Sequence, residues 1–365
     1  MTSPNRHAHA LRLERMRASP QFADGRFVNT YASTAPDAQR QGMRLATLGE
    51  FAFGGAKRRP VQALPSFNPL ADWLRPAQSG LRVTWLGHST LLLEIDGVRV
   101  LTDPVWGQRA SPFSFAGPKR FQPVPVSIES LPPLDAVLIS HDHYDHLDHP
   151  SVRALAARSV PFVTSLGVGK HLQAWGVPVE RIVELDWWEE TRLAGGLTIT
   201  AAPSHHFSGR GLTDRNTTLW SAFALRGERH AVFFSGDTGL SDAFGDIGRR
   251  LGPFDLAAIE VGAFHPSWGD IHLGPDNALQ AWRELGSGRL LPVHWGTFDL
   301  AMHDWHQPAE VLVAKAPEGL VMPRLGEAVE PAHVDGVTPW WRAIARARHA
   351  VQGAALRNAA ESTPV

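Results

Sequence analysis

The run His141-Asp142-His143-Tyr144-Asp145-His146 places three imidazoles and the Asp145 carboxylate within six residues. Imidazole nitrogen and carboxylate oxygen form the donor set that Zn²⁺ accepts where thiolate is missing, and the same set suits Mn²⁺ or Fe²⁺. The sequence contains no cysteine, so any metal must rest on His, Asp and Glu. Side chains alternate along an extended backbone, which sends His141 and His143 to one side. A following turn brings Asp145 and His146 towards a second point, so one short stretch can serve two neighbouring cations. Asp142 and Tyr144 point the other way and are expected to brace the loop.

The elements that must position this run are strands. Ala136-Val137-Leu138-Ile139-Ser140 reads as a buried strand directly ahead of it. Three further strand ends deliver His or Asp. Leu197 to Pro203 runs into Ser204-His205-His206, where adjacent side chains diverge and His206 is expected to face inward. His230 to Phe234 leads to Ser235-Gly236-Asp237-Thr238-Gly239, whose glycines permit a tight turn that thrusts Asp237 forward. Leu290-Leu291-Pro292-Val293 ends at His294. A random scatter of 18 histidines would not favour strand ends in this way. Earlier in the chain, Val83 to Leu86, Thr90 to Ile95 and Val98 to Leu101 form a meander around the Asp96-Gly97 turn. That meander carries His88 in its first connection and Asp103 after its third strand. Asp103 is placed to accept a proton from the back nitrogen of a ligating histidine. Residues 105 to 133 form a long Pro-rich and aromatic loop, expected to shape a substrate pocket and to turn Lys119 and Arg120 towards an anionic group. Helices are expected over 150–158, 168–175 and 276–285, with His272 just ahead of the last.

At 365 residues the chain can bury a large core without staples, and 43% hydrophobic with 19% charged residues is the composition of a globular protein. A formal net charge of -1 offers no field to attract nucleic acid. No apolar stretch in the first 27 residues resembles a signal peptide and no run is long enough to span a bilayer, which predicts a cytoplasmic protein. The first 60 residues carry ten Arg or Lys against four Asp or Glu. Residues 1–75 therefore read as an N-terminal extension that packs on the domain or is partly flexible, with Phe51, Phe53 and Trp73 as anchors. The catalytic domain is expected over 76–335, followed by a basic helix or tail over 336–365. The tryptophans of that tail suggest a homodimer contact.

The order His141-x-His143-x-Asp145-His146, then His206, Asp237 and His294, resembles the binuclear metal signature of metallo-β-lactamase-fold hydrolases. Within them it is most similar to N-acyl phosphatidylethanolamine phospholipase D and its bacterial relatives. Segments around Trp85-Leu86-Gly87-His88, Leu101-Thr102-Asp103-Pro104, Gly117-Pro118-Lys119-Arg120-Phe121 and His294-Trp295-Gly296-Thr297-Phe298 carry the likeness, which runs over about residues 81 to 325. The resemblance implies an α/β, four-layer αβ/βα sandwich: two mixed sheets flanked by helices. It implies one metal on His141, His143 and His206, a second on Asp145, His146 and His294, and Asp237 bridging both, with two Zn²⁺ as the favoured pair. Asp145, Asp237 and His272 would be the catalytic residues. A shared hydroxide would attack the substrate, and His272 would act as general acid or substrate-positioning group, because the related enzyme has a histidine at the matching place. The implied substrate is an N-acyl phosphatidylethanolamine-like lipid phosphodiester, with peripheral contact at the inner face of the membrane and no nucleic-acid partner. Two alternatives stand beside it: a lactonase or carboxylic-ester hydrolase similar to L-ascorbate-6-phosphate lactonase, and a metal-bound scaffold without catalysis.

Overall fold

The computed structural model describes residues 3–36, 57–265, 268–315 and 318–345. Phe51, Phe53 and the last twenty residues of the basic tail lie outside the described residues.

The chain begins with a helix over Ser3–Ala18 and a small hairpin of β1 (Phe22–Ala23) and β2 (Arg26–Phe27). Then two sheets are built by the same plan. In the first, β3 (Leu81–Gly87), β4 (Thr90–Ile95) and β5 (Val98–Thr102) form an antiparallel meander. It continues in parallel through β6 (Ala136–Ile139), β7 (Phe162–Ser165) and β8 (Ile182–Leu185). In the second, β9 (Glu190–Arg192), β10 (Thr198–Ala202), β11 (Ala222–Arg226) and β12 (Ala231–Phe234) are antiparallel, and β13 (Phe254–Glu260) and β14 (Ser287–Val293) extend the edge in parallel. A short β15 (Ala328–Val329) closes the first sheet against β3.

Alternation explains the layers. Leu91, Leu93 and Ile95 enter the core between the sheets, whereas Leu92 joins Leu101, Val137 and Ile139 on the opposite face. Strands buried on both faces need helices outside, and parallel neighbours need crossovers. Helices His149–Ala156 and Gly169–Ala174 cover the outer face of the first sheet through Val152, Leu155 and Leu172. Asp148 caps the first of these by accepting from the Ser151 amide at 3.2 Å. Helices Ala243–Leu251, Gly274–Glu284 and Gln307–Lys315 cover the second sheet through Phe244, Ile247, Leu279 and Leu312. The result is a four-layer sandwich of two mixed sheets flanked by helices.

The first and last described segments pack inward. Arg12 is buried and donates to Glu184 at 2.6 Å, and Met16 and Phe27 join Trp187 and Trp220 in a separate apolar cluster. No element was expected in this N-terminal stretch. Its helix lacks a clean apolar stripe because ion pairs hold it in place as much as packing does. Trp73 is buried, donating to Thr84 Oγ1 at 3.0 Å. Trp340 stacks on Trp295 and Trp341 meets it edge-on, and both are buried, so these two rings are spent within the fold rather than offered to a partner. No helix among the described residues is long and apolar enough to cross a membrane.

Candidate metal centre

Loops at the carboxyl ends of β3, β5, β6, β10, β12 and β14 converge on one point, as ligand-binding loops of layered α/β folds do. From β6 come His141 and His143, with His141 Nε2 2.8 Å from His143 Nδ1; His206, beyond β10, places Nε2 3.3 Å from the same Nδ1. Beside this trio, Asp145 Oδ2 lies 3.0 Å from His88 Nε2, 3.3 Å from His294 Nε2 and 3.6 Å from His146 Nε2. Asp237 joins the two groups. Its Oδ1 faces His146 Nε2 at 3.1 Å, while Oδ2 lies 3.2 Å from His294 Nε2, 3.8 Å from His206 Nε2 and 3.9 Å from His141 Nε2. That reach depends on Gly236 (φ +53°), where a Cβ would sit 2.6 Å from the Ser140 Cβ.

Hydrogen bonds from behind orient His146 and His206. His146 Nδ1 donates to the buried Asp103 at 2.7 Å, and Asp103 is itself held by the Ser140 amide at 2.7 Å and hydroxyl at 2.6 Å. His206 Nδ1 donates to the Ile271 carbonyl at 2.9 Å. Asp142 accepts from the Gly209 amide at 2.7 Å and the Thr218 hydroxyl at 2.9 Å, and the Tyr144 hydroxyl donates to the Arg210 carbonyl at 2.8 Å, so both tie down the loop.

The electrostatics divide the cluster. Burial pushes His141 and His206 well below the ordinary imidazole range, and burial together with His294 lowers His88 to about 3. His146 moves up: burial opposes it, but the carboxylates of Asp237, Asp145 and Asp103 outweigh that. Asp145 and Asp237 stay well below the carboxylate range, since the surrounding imidazoles overcome their burial. The centre is therefore a buried pair of charged carboxylates among imidazoles, of which His141, His206 and His88 are held neutral. Two of its buried atoms, His146 Nε2 and Asp237 Oδ1, have no hydrogen-bond partner among the described residues. Leaving such atoms unsatisfied is costly, and divalent cations are the groups this donor set fits. His88, Asp145, His146 and His294 form one set of mutually close ligand atoms, and His141, His143, His206 and Asp237 form another.

His272 stands at the edge of this centre. Its Nδ1 pairs with Glu260 Oε2 at 3.0 Å, and Glu260, the fully buried last residue of β13, also accepts from the amides of Leu273 at 3.0 Å and Thr238 at 3.2 Å. Both His272 and the cluster line a cavity of about 430 Å³ whose other wall is Phe207, Ala263, Trp268, Ile271 and Leu300.

Several residues stand elsewhere than expected. Lys119 is exposed, and Arg120 is buried with its guanidinium donating to the carbonyls of Val105 and Gly107 over the Phe298 ring. Neither lines the cavity at the metal centre, because Arg120 is consumed in closing its own loop. The loop they belong to frames a separate cavity of about 570 Å³ with Tyr144, Trp175 and Arg210. His205 turns away to Asp270 at 3.5 Å. Sequence reasoning missed Glu260, hidden as one more buried strand residue. It also missed Asn29, whose side chain receives the His206 amide at 3.1 Å and donates to the His206 carbonyl at 2.9 Å. No local signal marks a partner 177 positions away.

A family profile described as the beta-lactamase superfamily domain matches residues 98–295. The chain is 46% identical over 331 residues to an uncharacterised protein of Mycobacterium tuberculosis, covering 89% of this chain and 88% of that one. It is 41% identical over 254 residues to the N-acyl-phosphatidylethanolamine-hydrolyzing phospholipase D 1 of Caenorhabditis elegans, covering 67% and 71%. Among solved structures, a metallo hydrolase from Ignicoccus hospitalis superposes with a TM-score of 0.52 at 22% identity, over 68% of this chain and 97% of its own. An isothiocyanate hydrolase from Delia radicum gut bacteria superposes at 0.55 and 20% identity, over 68% and 98%. At these identities the structures speak to the fold alone. With the family profile and the sequence relatives added, the chain belongs to the metallo-β-lactamase superfamily of metal-dependent hydrolases.

Proposed function

We propose that this hydrolase is a phosphodiesterase of phospholipase D type that works with two zinc ions on N-acyl phosphatidylethanolamine-like lipids, releasing N-acylethanolamine and phosphatidic acid. The observation that carries the reading is Asp237, whose carboxylate lies between both sets of ligand atoms: 3.1 and 3.2 Å from His146 and His294 Nε2, and 3.8 and 3.9 Å from His206 and His141 Nε2. His141, His143 and His206 would hold one cation, Asp145, His146 and His294 the other, and Asp237 both. His88, 3.0 Å from Asp145, is an additional donor at the second position. Two divalent cations supply water activated for attack at neutral pH and neutralise the oxygens of the phosphoryl group.

The chain's own groups do the rest. Glu260 holds Nδ1 of His272, which leaves Nε2 for the cavity that His272 lines. A proton carried on that Nε2 can be handed to the departing alkoxide. Asp103 fixes His146 in the tautomer that presents Nε2 to the centre. The apolar wall from Phe207 to Leu300 suits acyl or glycerol carbons beside a charged head, and the relative from Caenorhabditis elegans bears the name of this activity.

The test is turnover of N-acyl phosphatidylethanolamine vesicles and of bis(p-nitrophenyl) phosphate by metal-replete protein, with Asp237→Asn and His294→Ala as controls. The reading expects diester cleavage that both variants abolish. Opening of a lactone at far higher kcat/KM, with no diester cleavage, would replace it with the lactonase alternative, and metal without any turnover would leave a scaffold.

A further inference from the structure

Among the described residues lining the cavity at the metal centre, Arg215 is the sole Lys or Arg. Its guanidinium carbon lies 4.3 Å from the centroid of the Phe207 ring. That ring in turn packs on His143 at 4.5 Å and His206 at 4.9 Å. Phe207 thus touches both the cation and the histidine cluster. Stacking occupies a face of the guanidinium and leaves its N–H edge free to donate.

Two further observations bear on that edge. First, among the described residues no carboxylate pairs with Arg215: Asp145 and Asp237 face the histidines, and neighbouring Asp214 is turned back onto the amides of Arg210 at 3.0 Å and Gly211 at 2.7 Å. Second, the backbone carrying it is fixed. Asn216 and Phe27 exchange hydrogen bonds at 2.8 and 3.1 Å, and Arg26 donates to the Arg215 carbonyl. The N-terminal hairpin therefore clamps this loop while Asn29 clamps His206. Arg215 is exposed, its backbone is pinned and no described carboxylate pairs with it, so its guanidinium is free to meet an anion that arrives with the substrate at the rim of this cavity.

We propose that Arg215 binds an anionic oxygen of the substrate's phosphoryl group and selects negatively charged diesters over neutral esters. This specificity role rests on the two-cation reading above. It is the role that Lys119 and Arg120 were expected to fill and do not, since they point away from the cavity.

The experiment compares wild type, Arg215→Ala and Arg215→Lys, all metal-replete. It measures kcat/KM on bis(p-nitrophenyl) phosphate and on the neutral ester p-nitrophenyl butyrate, and inorganic phosphate binding by titration calorimetry. Loss of a charge-assisted, forked contact is expected to lower kcat/KM on the diester about 10- to 100-fold and to weaken phosphate about tenfold in Arg215→Ala. Arg215→Lys should recover part of both, because it keeps the charge but not the fork. Ester turnover should change less than about twofold. Equal losses on diester and ester, or no loss on either, overturn the proposal. If wild type leaves the diester intact, the phosphodiesterase reading fails separately. Phosphate binding then decides for Arg215: tenfold weakening supports the anion site, and unchanged binding removes it.

Discussion

On one side of Asp237 stand His141, His143 and His206, and on the other Asp145, His146 and His294, yet the two sides are braced by different chemistry. The first side leans on uncharged oxygens: the Ser140 hydroxyl lies 3.0 Å from His141 Nδ1, and the Ile271 carbonyl accepts from His206 Nδ1 at 2.9 Å. Buried carboxylates stand behind the second, with Asp103 on His146 and Glu260 Oε2 3.9 Å from His294 Nδ1. Separately, burial keeps His141 and His206 well below the ordinary range, whereas for His294 the Asp237 and Asp145 carboxylates outweigh burial and raise it to about 10. A carboxylate behind an imidazole makes it a stronger donor to a cation. On the two-cation reading the second position would be the more heavily braced, and its affinity would lean on Asp103 and Glu260, which stand behind its donors.

The comparison breaks most completely if the shared carboxylate is removed. Asp237→Ala is expected to strip both positions and reduce diester turnover by at least about a thousandfold, read by steady-state kinetics alongside metal analysis. Asp103→Asn sharpens the contrast between the sides. Metal titration should show the His146 position weakened about 10- to 100-fold and the His141 position, which Asp103 reaches only through the Ser140 hydroxyl, weakened less; equal weakening of both would erase the distinction drawn here. Glu260→Gln probes the rim and, through His294, the second position. It should lower kcat about tenfold or more through His272 and weaken metal at the second position less than Asp103→Asn does.

The smallest effect is expected away from both sides. Asp96 sits in the β4–β5 turn and accepts from the amides of Arg229 at 2.8 Å and His230 at 3.0 Å. Burial alone would raise its carboxyl, but these amides and the His230 ring hold it below the ordinary range. A depressed carboxyl stabilises the fold fully above its unfolded value and loses that contribution as pH falls through the lowered one. Asp96→Asn should cost about 1 kcal/mol at neutral pH and flatten the acid limb of the thermal melting profile below about pH 4, with metal content untouched.

Much of this architecture was legible before the coordinates. Apolar runs bounded by turn residues marked the strands of both sheets, and the recurrence of His or Asp just past four of them marked the centre. Choosing His206 over His205 needed only the divergence of adjacent side chains on an extended backbone. What escaped was set by distance and by disguise. The helix over residues 3–18 is held by Arg12 and Arg15 against Glu184 and Glu189, contacts that leave no apolar stripe to read. Asn29 supports His206 from another part of the chain. Arg120 advertised a charge that the fold spends on its own carbonyls, while Arg215, in an unremarked polar loop, keeps its charge for the cavity.

Metal content by plasma mass spectrometry, followed through chelation and re-addition of zinc, tests the central claim most directly. The account predicts about two equivalents of transition metal per chain, lost with activity and restored with it. A protein that keeps full turnover after all metal has been removed, or never binds more than one equivalent, would contradict it.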